Sequence, residues 1–345
     1  MSPFPAPAST MEARTRTALP TGAGWAYEPK WDGFRCLSWA PGADGTDEPR
    51  LDSRSQRPLR RYFPELEPAL LALPPGTVVD GEVVVIREGA TDFDALQLRL
   101  HPAASRVARL AAETPASLVA FDLLAEGGED LRGAPFAQRR ARLEALAAGL
   151  DRPWHLTPST TDLATARRWF DALESAGCDG IVAKRLDEPY RGGQRAMAKI
   201  KHRRTVACVV GGYRLHKEGD RVGSLLLGLH TAAGALHFIG HCSGLPDAER
   251  VALLERLAPL VDEAGGFGAQ ARQPGQPSRW SRDKDTAFVP LRPELVCEVS
   301  YDQLTGDRFR HATRLERWRP DLDPAAATLD QLARPAGPRV EEILG

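Results

Sequence analysis

Of 45 basic residues only six are lysine, at positions 30, 184, 199, 201, 217 and 284, and the rest are arginine. Where arginine is the default cation, a lysine invites a chemical explanation, because an amine can act as a nucleophile and a guanidinium cannot. Lys30 lies in Tyr27-Glu28-Pro29-Lys30-Trp31-Asp32-Gly33-Phe34-Arg35. Pro29 cannot donate to a sheet ladder and Gly33 favours a turn, so Lys30 is displayed on a tight connection leading into a strand. An isolated KxDG also reads as an exposed surface lysine beside a turn. Residues 76–86, GTVVDGEVVVI, place Glu82 among β-branched residues. They form either a hairpin turning at Asp80-Gly81 or one continuous buried strand. In the second case the inward carboxylate requires a cation, a metal or a ligand hydroxyl as partner.

Two further segments carry cations. Asp179-Gly180-Ile181-Val182-Ala183-Lys184 reads as a strand with a carboxylate at its start and an amine near its end. Residues 190–204 contain Arg191, Arg195, Lys199, Lys201, Arg203 and Arg204 and no acidic residue. Lys199 and Lys201, two apart on a β-run, point to one face. That face is either simply solvated or a cradle for phosphate. Phe121-Asp122 ends an apolar run before the acidic loop 126–130, and on its own Phe121 reads as core.

The elements that must hold these residues follow from local pattern. Residues 1–20 are rich in Pro, Ala and Thr and are expected to be an irregular arm, with regular structure starting near Trp25. From there β-rich runs at 34–39, 77–86, 117–124, 179–185 and 200–210 alternate with helical patterns at 135–149 and 162–175, the second stopping before Gly177. After Gly211-Gly212 the texture changes to β-runs at 224–230, 235–242, 295–301 and 309–318 with one helix at 247–261, a small-barrel pattern. The expected organisation is an arm (1–20), an α+β domain (21–210), a barrel domain (211–323) and a tail (324–345) without functional signal. Residues 265–281, rich in Gly, Gln and Pro, are expected to form a mobile loop.

Composition excludes several classes. At 345 residues, 42% hydrophobic and 26% charged, the chain is large enough for two folded domains and unlike collagen, coiled coil or disordered sequence. Its apolar stretches are far shorter than the roughly 20 residues a bilayer span needs. The start resembles neither a signal nor a transit peptide, so a cytoplasmic location is expected. The cysteines at 36, 178, 208, 242 and 297 never form CxxC, which argues against a disulfide framework and a zinc site and for reduced, buried thiols. Net charge is −1, so any nucleic-acid binding must use local patches.

Taken in order, these segments resemble the covalent nucleotidyltransferases and most closely the ATP-dependent DNA ligases, of the compact bacterial ligase C type. KWDGFR (30–35) is similar to the nucleophile motif KxDGxR, Ser53-Arg54 to the next element, DGEVVV (80–85) to the Glu-bearing strand, and FDLL (121–124) to the adenine-stacking element. DGIVAK (179–184) and KIK (199–201) complete the set. The resemblance spans residues 25–323 and implies an α+β, ATP-grasp-like adenylation (nucleotidyltransferase) domain followed by an OB-fold β-barrel. It implies that Lys30 attacks the ATP α-phosphate, that Glu28 and Phe121 hold adenine, and that Arg35 and Glu82 hold ribose. Lys184 completes the nucleotide pocket, Lys199, Lys201 and Arg195 meet phosphate, and Arg54 meets the nick phosphate. Glu82 and Asp179 lie nearest a divalent Mg2+ or Mn2+. Two departures stand out: Asp179 replaces the family's usual Glu, and in Arg319-Pro320-Asp321-Leu322 a leucine replaces the lysine of the closing motif, leaving Arg319, with neighbours such as Arg314 and Arg317, to orient pyrophosphate.

The implied function is ATP-dependent sealing of nicked duplex DNA in repair and recombination, by a monomer associated with the nucleoid and accompanied by a repair polymerase or end-binding proteins. Cations at Lys184, Lys199 and Lys201 are expected to lower the Lys30 pKa. RNA ligases and GTP-dependent capping enzymes share KxDG and the Glu-bearing strand. A non-catalytic OB-fold protein that binds single strands is an alternative of another class.

Overall fold

A computed structural model describes residues 6–268, 271–274, 287–333 and 335–344. The chain divides into two compact units, residues 1–202 with 334–345, and residues 203–333.

The first unit is built on two sheets. In one, Arg50–Ser53, Phe34–Trp39, Val78–Arg87, Ala116–Glu126 and Glu129–Asp130 lie side by side, each antiparallel to the next, and Trp154–Leu156 pairs in parallel with Ala116–Glu126. Val78–Arg87 is a single ten-residue strand, so the hairpin at Asp80-Gly81 does not occur. Gly81 is needed for another reason: a Cβ there would sit 2.6 Å from the Val119 carbonyl oxygen, at a point where the register shifts. The core of this sheet gathers residues such as Phe63, Leu66, Val83, Leu96 and Leu118, each almost completely buried. The other sheet has the order Glu12–Thr15, Arg195–Lys201, Gly180–Arg185, Trp25–Pro29. Helix Leu163–Ala172 supplies Ala166 to the apolar cluster shared with Tyr27, Ile181 and Ile200. Its N-cap Asp162 accepts from the backbone N–H groups of Ala164 and Thr165.

The second unit is a closed barrel. Arg204–Leu215, Val222–His230, Leu236–Gly244, Thr313–Trp318 and Val296–Tyr301 follow one another round the circle, and the last pairs with the first. Helix Asp247–Leu257 lies between the third and fourth strands in sequence. This is the OB-like arrangement expected of the family.

Three boundaries differ from the sequence expectation. The arm is not wholly irregular, because Glu12–Thr15 pairs in parallel with Arg195–Lys201. The units divide at 202/203 and not at Gly211-Gly212, which lie inside the first barrel strand. Those glycines serve packing: Cβ atoms on them would lie 2.7 Å from the Phe267 ring and 2.8 Å from the Phe288 ring. The expected run 200–210 therefore belongs to two strands of different units, Arg195–Lys201 and Arg204–Leu215. The tail is also divided, since Val340–Leu344 is a short helix that rejoins the first unit with Val340 fully buried. All five cysteines are buried and form no disulfide. Much of the expected loop at 265–281 lies outside the described residues, and among the described residues no helix is long and apolar enough to cross a membrane.

Candidate active site

Lys30 follows directly on strand Trp25–Pro29, and its connection is tied down by backbone hydrogen bonds on both sides. The Lys30 N–H donates to Gly180 O (2.9 Å), and Asp179 N–H donates to Lys30 O (2.7 Å). Trp31 is buried, with its indole N–H on Thr157 Oγ1 at 2.8 Å. At Gly33 a Cβ would come within 2.3 Å of Val83 O, so only glycine lets the chain pass close to the Glu82 strand.

The connection opens into a cleft of about 520 Å³, a volume suited to a small ligand. Glu28, Lys30, Arg35, Arg54, Glu82, Phe121, Lys184, Arg195 and Lys199 all line it. These residues come from six separate stretches of sequence, and the two sheets bring them together. Phe121 is half-buried here and not a core residue. Asp179 and Lys201 stand beside the cleft through Lys30: the Asp179 carboxylate lies 2.9 Å from Lys30 Nζ and 3.3 Å from Lys201 Nζ. Arg319 belongs to the second unit, where it bonds Glu298 and Asp321. Of its two neighbours, Arg317 shares Glu298.

At one end of the cleft, Glu28 is buried between Lys184 (2.8 Å) and Arg140 (3.4 Å). Burial pushes its carboxyl above the usual range, with Lys184 and Arg140 opposing. Lys184 also donates to the Phe121 carbonyl (2.7 Å) and lies 4.9 Å from the Phe121 ring centroid. Arg35 is clamped by Asp80 through two hydrogen bonds of 3.0 and 2.6 Å, its guanidinium 5.2 Å from the same ring. Tyr190 donates to Asp80 at 2.6 Å and accepts from the Met11 N–H. Asp80, Arg140 and Tyr190 were not anticipated. Asp80 opens DGEVVV (80–85), but Arg140 and Tyr190 act through partners about a hundred residues distant and carry no local signal.

The expectation that neighbouring cations depress the Lys30 pKa is overturned. Burial alone works against the ammonium, but Asp179, Glu82 and Asp32 outweigh it, and Lys30 is held above its usual value. Lysine cations are arranged differently: Lys184 pairs with Glu28, and Lys201 shares Asp179 with Lys30. It is Lys199 that is lowered, by burial first and then by Lys201, Lys30 and Arg54.

Glu82 fits a divalent cation. It lines the cleft, no hydrogen bond or ion pair to its carboxylate is seen among the described residues, and burial pushes its carboxyl up to about 7 despite Lys30 and Arg35. A half-buried carboxylate left so little compensated favours a cation. Asp179 fits less readily in this state, because Lys30 and Lys201 already match its charge.

The ATP dependent DNA ligase domain profile matches residues 5–201, and that of the ATP dependent DNA ligase C terminal region matches residues 218–322. The chain is 50% identical to DNA ligase C2 of Mycolicibacterium smegmatis over 95% of both chains. It is 47% identical to DNA ligase C of Mycobacterium tuberculosis over 99% of this chain and 98% of the other. Among solved structures, a Lig E DNA ligase superposes with TM-score 0.56 at 16% identity, covering 90% of this chain and 99% of that one, a likeness of fold. Profile and identity agree with the ordered motifs that converge on the cleft, and the chain belongs to the ATP-dependent DNA ligase family.

Proposed function

We propose that the chain seals nicks in duplex DNA through an AMP adduct on Lys30 and then a DNA-adenylate, in DNA repair. The observation that carries this reading is the position of Lys30: an amine on a tied-down turn, inside a cleft with an aromatic face at Phe121 and cations at Lys199, Arg195 and Arg54.

Glu28 and Phe121 would receive the adenine, and Arg35, fixed by Asp80, would receive the ribose together with Glu82. Lys199, Arg195 and Lys201 would neutralise the triphosphate during in-line displacement. Glu82 would hold Mg2+ or Mn2+, with Asp179 joining once Lys30 leaves its ion pair. A divalent cation there supplies charge neutralisation on the phosphates and on the carboxylates around the nucleophile. Lys30 must lose its proton before it attacks, and the carboxylates that favour the ammonium must therefore be matched by other charge first. The Lys30 amine then bonds to the α-phosphorus and pyrophosphate leaves. The AMP passes to the 5′-phosphate of the nick, and the 3′-hydroxyl displaces it. Arg54 would meet the nick phosphate, and Arg319 would orient pyrophosphate from the barrel unit. The domain roles follow: residues 1–202 adenylate, and the barrel unit supports DNA binding. We further place the enzyme as a monomer in the cytoplasm, at the nucleoid, working with a repair polymerase or end-binding protein.

Mass spectrometry of the purified chain with ATP and Mg2+ tests the reading. An AMP adduct on Lys30, lost in Lys30→Arg, is expected, since a guanidinium stays protonated. Residual AMP transfer in that variant would refute the assignment. Labelled GTP in place of ATP, and nicked RNA in place of nicked DNA, are expected to give no product.

A further inference from the structure

We propose that Glu12 sets how tightly the cleft holds phosphate, its carboxylate standing among Arg54, Arg195 and Lys199 in the place a ligand's phosphate takes. The inference rests on the reading that these three cations meet phosphate.

Glu12 begins the strand Glu12–Thr15, which pairs in parallel with the strand that carries Lys199. Its backbone is fixed: Glu12 N–H donates to Gln194 O at 2.8 Å, and Glu12 stands opposite Arg195 in the register. From there the carboxylate reaches both arginines. Its Oε1 lies 3.2 Å from Arg54 Nε, and its Oε2 lies 3.8 Å from Arg195 Nε. The same carboxylate also supports the charge on Lys199, which burial, Lys201, Lys30 and Arg54 all oppose.

Carboxylate and phosphate oxygens accept guanidinium N–H groups in the same geometry. A carboxylate bridging two phosphate-binding arginines is therefore an internal stand-in for the ligand. The pairs are exchangeable, since the Arg54 and Arg195 side chains are 65% and 71% exposed. Exposed ion pairs of this kind are individually weak. Phosphate, with more charge and more acceptor oxygens, displaces Glu12. As pyrophosphate leaves, the carboxylate takes back the arginines, and this competition favours its release. If Glu12 instead merely braced the arginines for phosphate, its neutralisation would weaken binding, so the two roles predict opposite signs.

The phosphate could belong to ATP or to the 5′ end of a nick, and two arms distinguish them. In the full chain, Glu12→Gln keeps the backbone pairing and removes the charge. One arm follows AMP loading across an ATP series, with added pyrophosphate as inhibitor. The other measures binding of AMP-loaded enzyme to nicked duplex with a 5′-phosphate or a 5′-hydroxyl. We expect affinity for phosphate to rise by about two- to tenfold, the range weak exposed pairs allow. A triphosphate site shows this as a lower ATP concentration for half-maximal loading and stronger inhibition by pyrophosphate. A nick site shows it only with the 5′-phosphorylated duplex. Unchanged or weaker binding in both arms overturns the proposal. Arg54→Gln and Arg195→Gln run alongside and should weaken phosphate binding. If they do so while Glu12→Gln has no effect, Glu12 alone is misassigned; if they do nothing, the phosphate reading beneath it fails.

Discussion

Glu82 shows how a single side chain in this cleft links reactivity to stability. Burial is the first reason its carboxyl stands at about 7, with Asp32 and Asp80 adding to it and Lys30 and Arg35 opposing. In an unfolded chain a glutamate titrates near ~4.3. The folded state therefore binds this proton more tightly than the unfolded state. Its stabilising contribution is fully present below the unfolded value and is lost as pH rises through about 7. Glu82→Gln cannot ionise, so it should leave stability almost unchanged in acid and raise it on the alkaline side by on the order of 1–2 kcal/mol. Denaturant midpoints of the two proteins across pH, without nucleotide or divalent cation, measure this. Midpoints that differ by the same amount at every pH would show that Glu82 is solvated in the native state. The same substitution should abolish most AMP loading. A residue that destabilises the empty protein and is required by the loaded one is kept for its ligand.

At the scale of elements, the strand Gly180–Arg185 fixes the Lys30 turn. Gly180 has φ +143°, and a Cβ there would lie 2.0 Å from Ile200 O, so no side chain fits without moving the neighbouring strand. Its carbonyl also accepts from Lys30 N–H. Gly180→Ala should cost about 2–3 kcal/mol of stability and slow AMP loading by more than the loss of folded protein explains, because the Lys30 turn shifts with it. Loading rate per folded molecule, with circular dichroism for the folded fraction, separates the two effects. A rate that follows folded fraction alone would remove Gly180 from the positioning of Lys30. The sequence made this part of the molecule legible, since KWDGFR, DGEVVV and DGIVAK each join a reactive residue type to glycines that only a close backbone approach requires. It was less informative where partners are distant. Glu12–Thr15 is a four-residue strand whose pattern says nothing of a partner some 180 residues away. Gly211-Gly212 read as a break because glycine marks both linkers and tight packing, and only the aromatic rings of Phe267 and Phe288 against them decide which.

For the whole molecule, the telling feature is that the chain leaves the first unit at His202 and comes back to it after Ala333. The returning segment is anchored by Ser175 Oγ donating to Pro338 O (2.8 Å) and by Val340 N–H donating to Gly89 O (2.7 Å). Val340 is completely buried in a cluster with Trp31, Val84, Val119, Leu173, Ala176 and Cys178. Trp31 adjoins Lys30 and Cys178 adjoins its carboxylate partner Asp179, so this cluster backs both ends of the Lys30–Asp179 pair. Val340→Asp places an unpaired charge there and should cost about 3–4 kcal/mol, whereas Val340→Ala should cost about 1–2 kcal/mol through lost packing. The barrel has its own core, formed by residues such as Leu225, Leu227, Ile239 and Val299, and does not share the cluster. The loss should therefore be regional. Native-state hydrogen exchange reads it directly, because each strand reports the opening free energy of its own cooperative unit. Amides of Val78–Arg87 should exchange faster in the variants while those of Val222–His230 keep their protection. If both sets accelerate equally, the two units unfold as one and the returning segment supports the whole chain; if neither changes, Val340 is not the anchor its burial indicates.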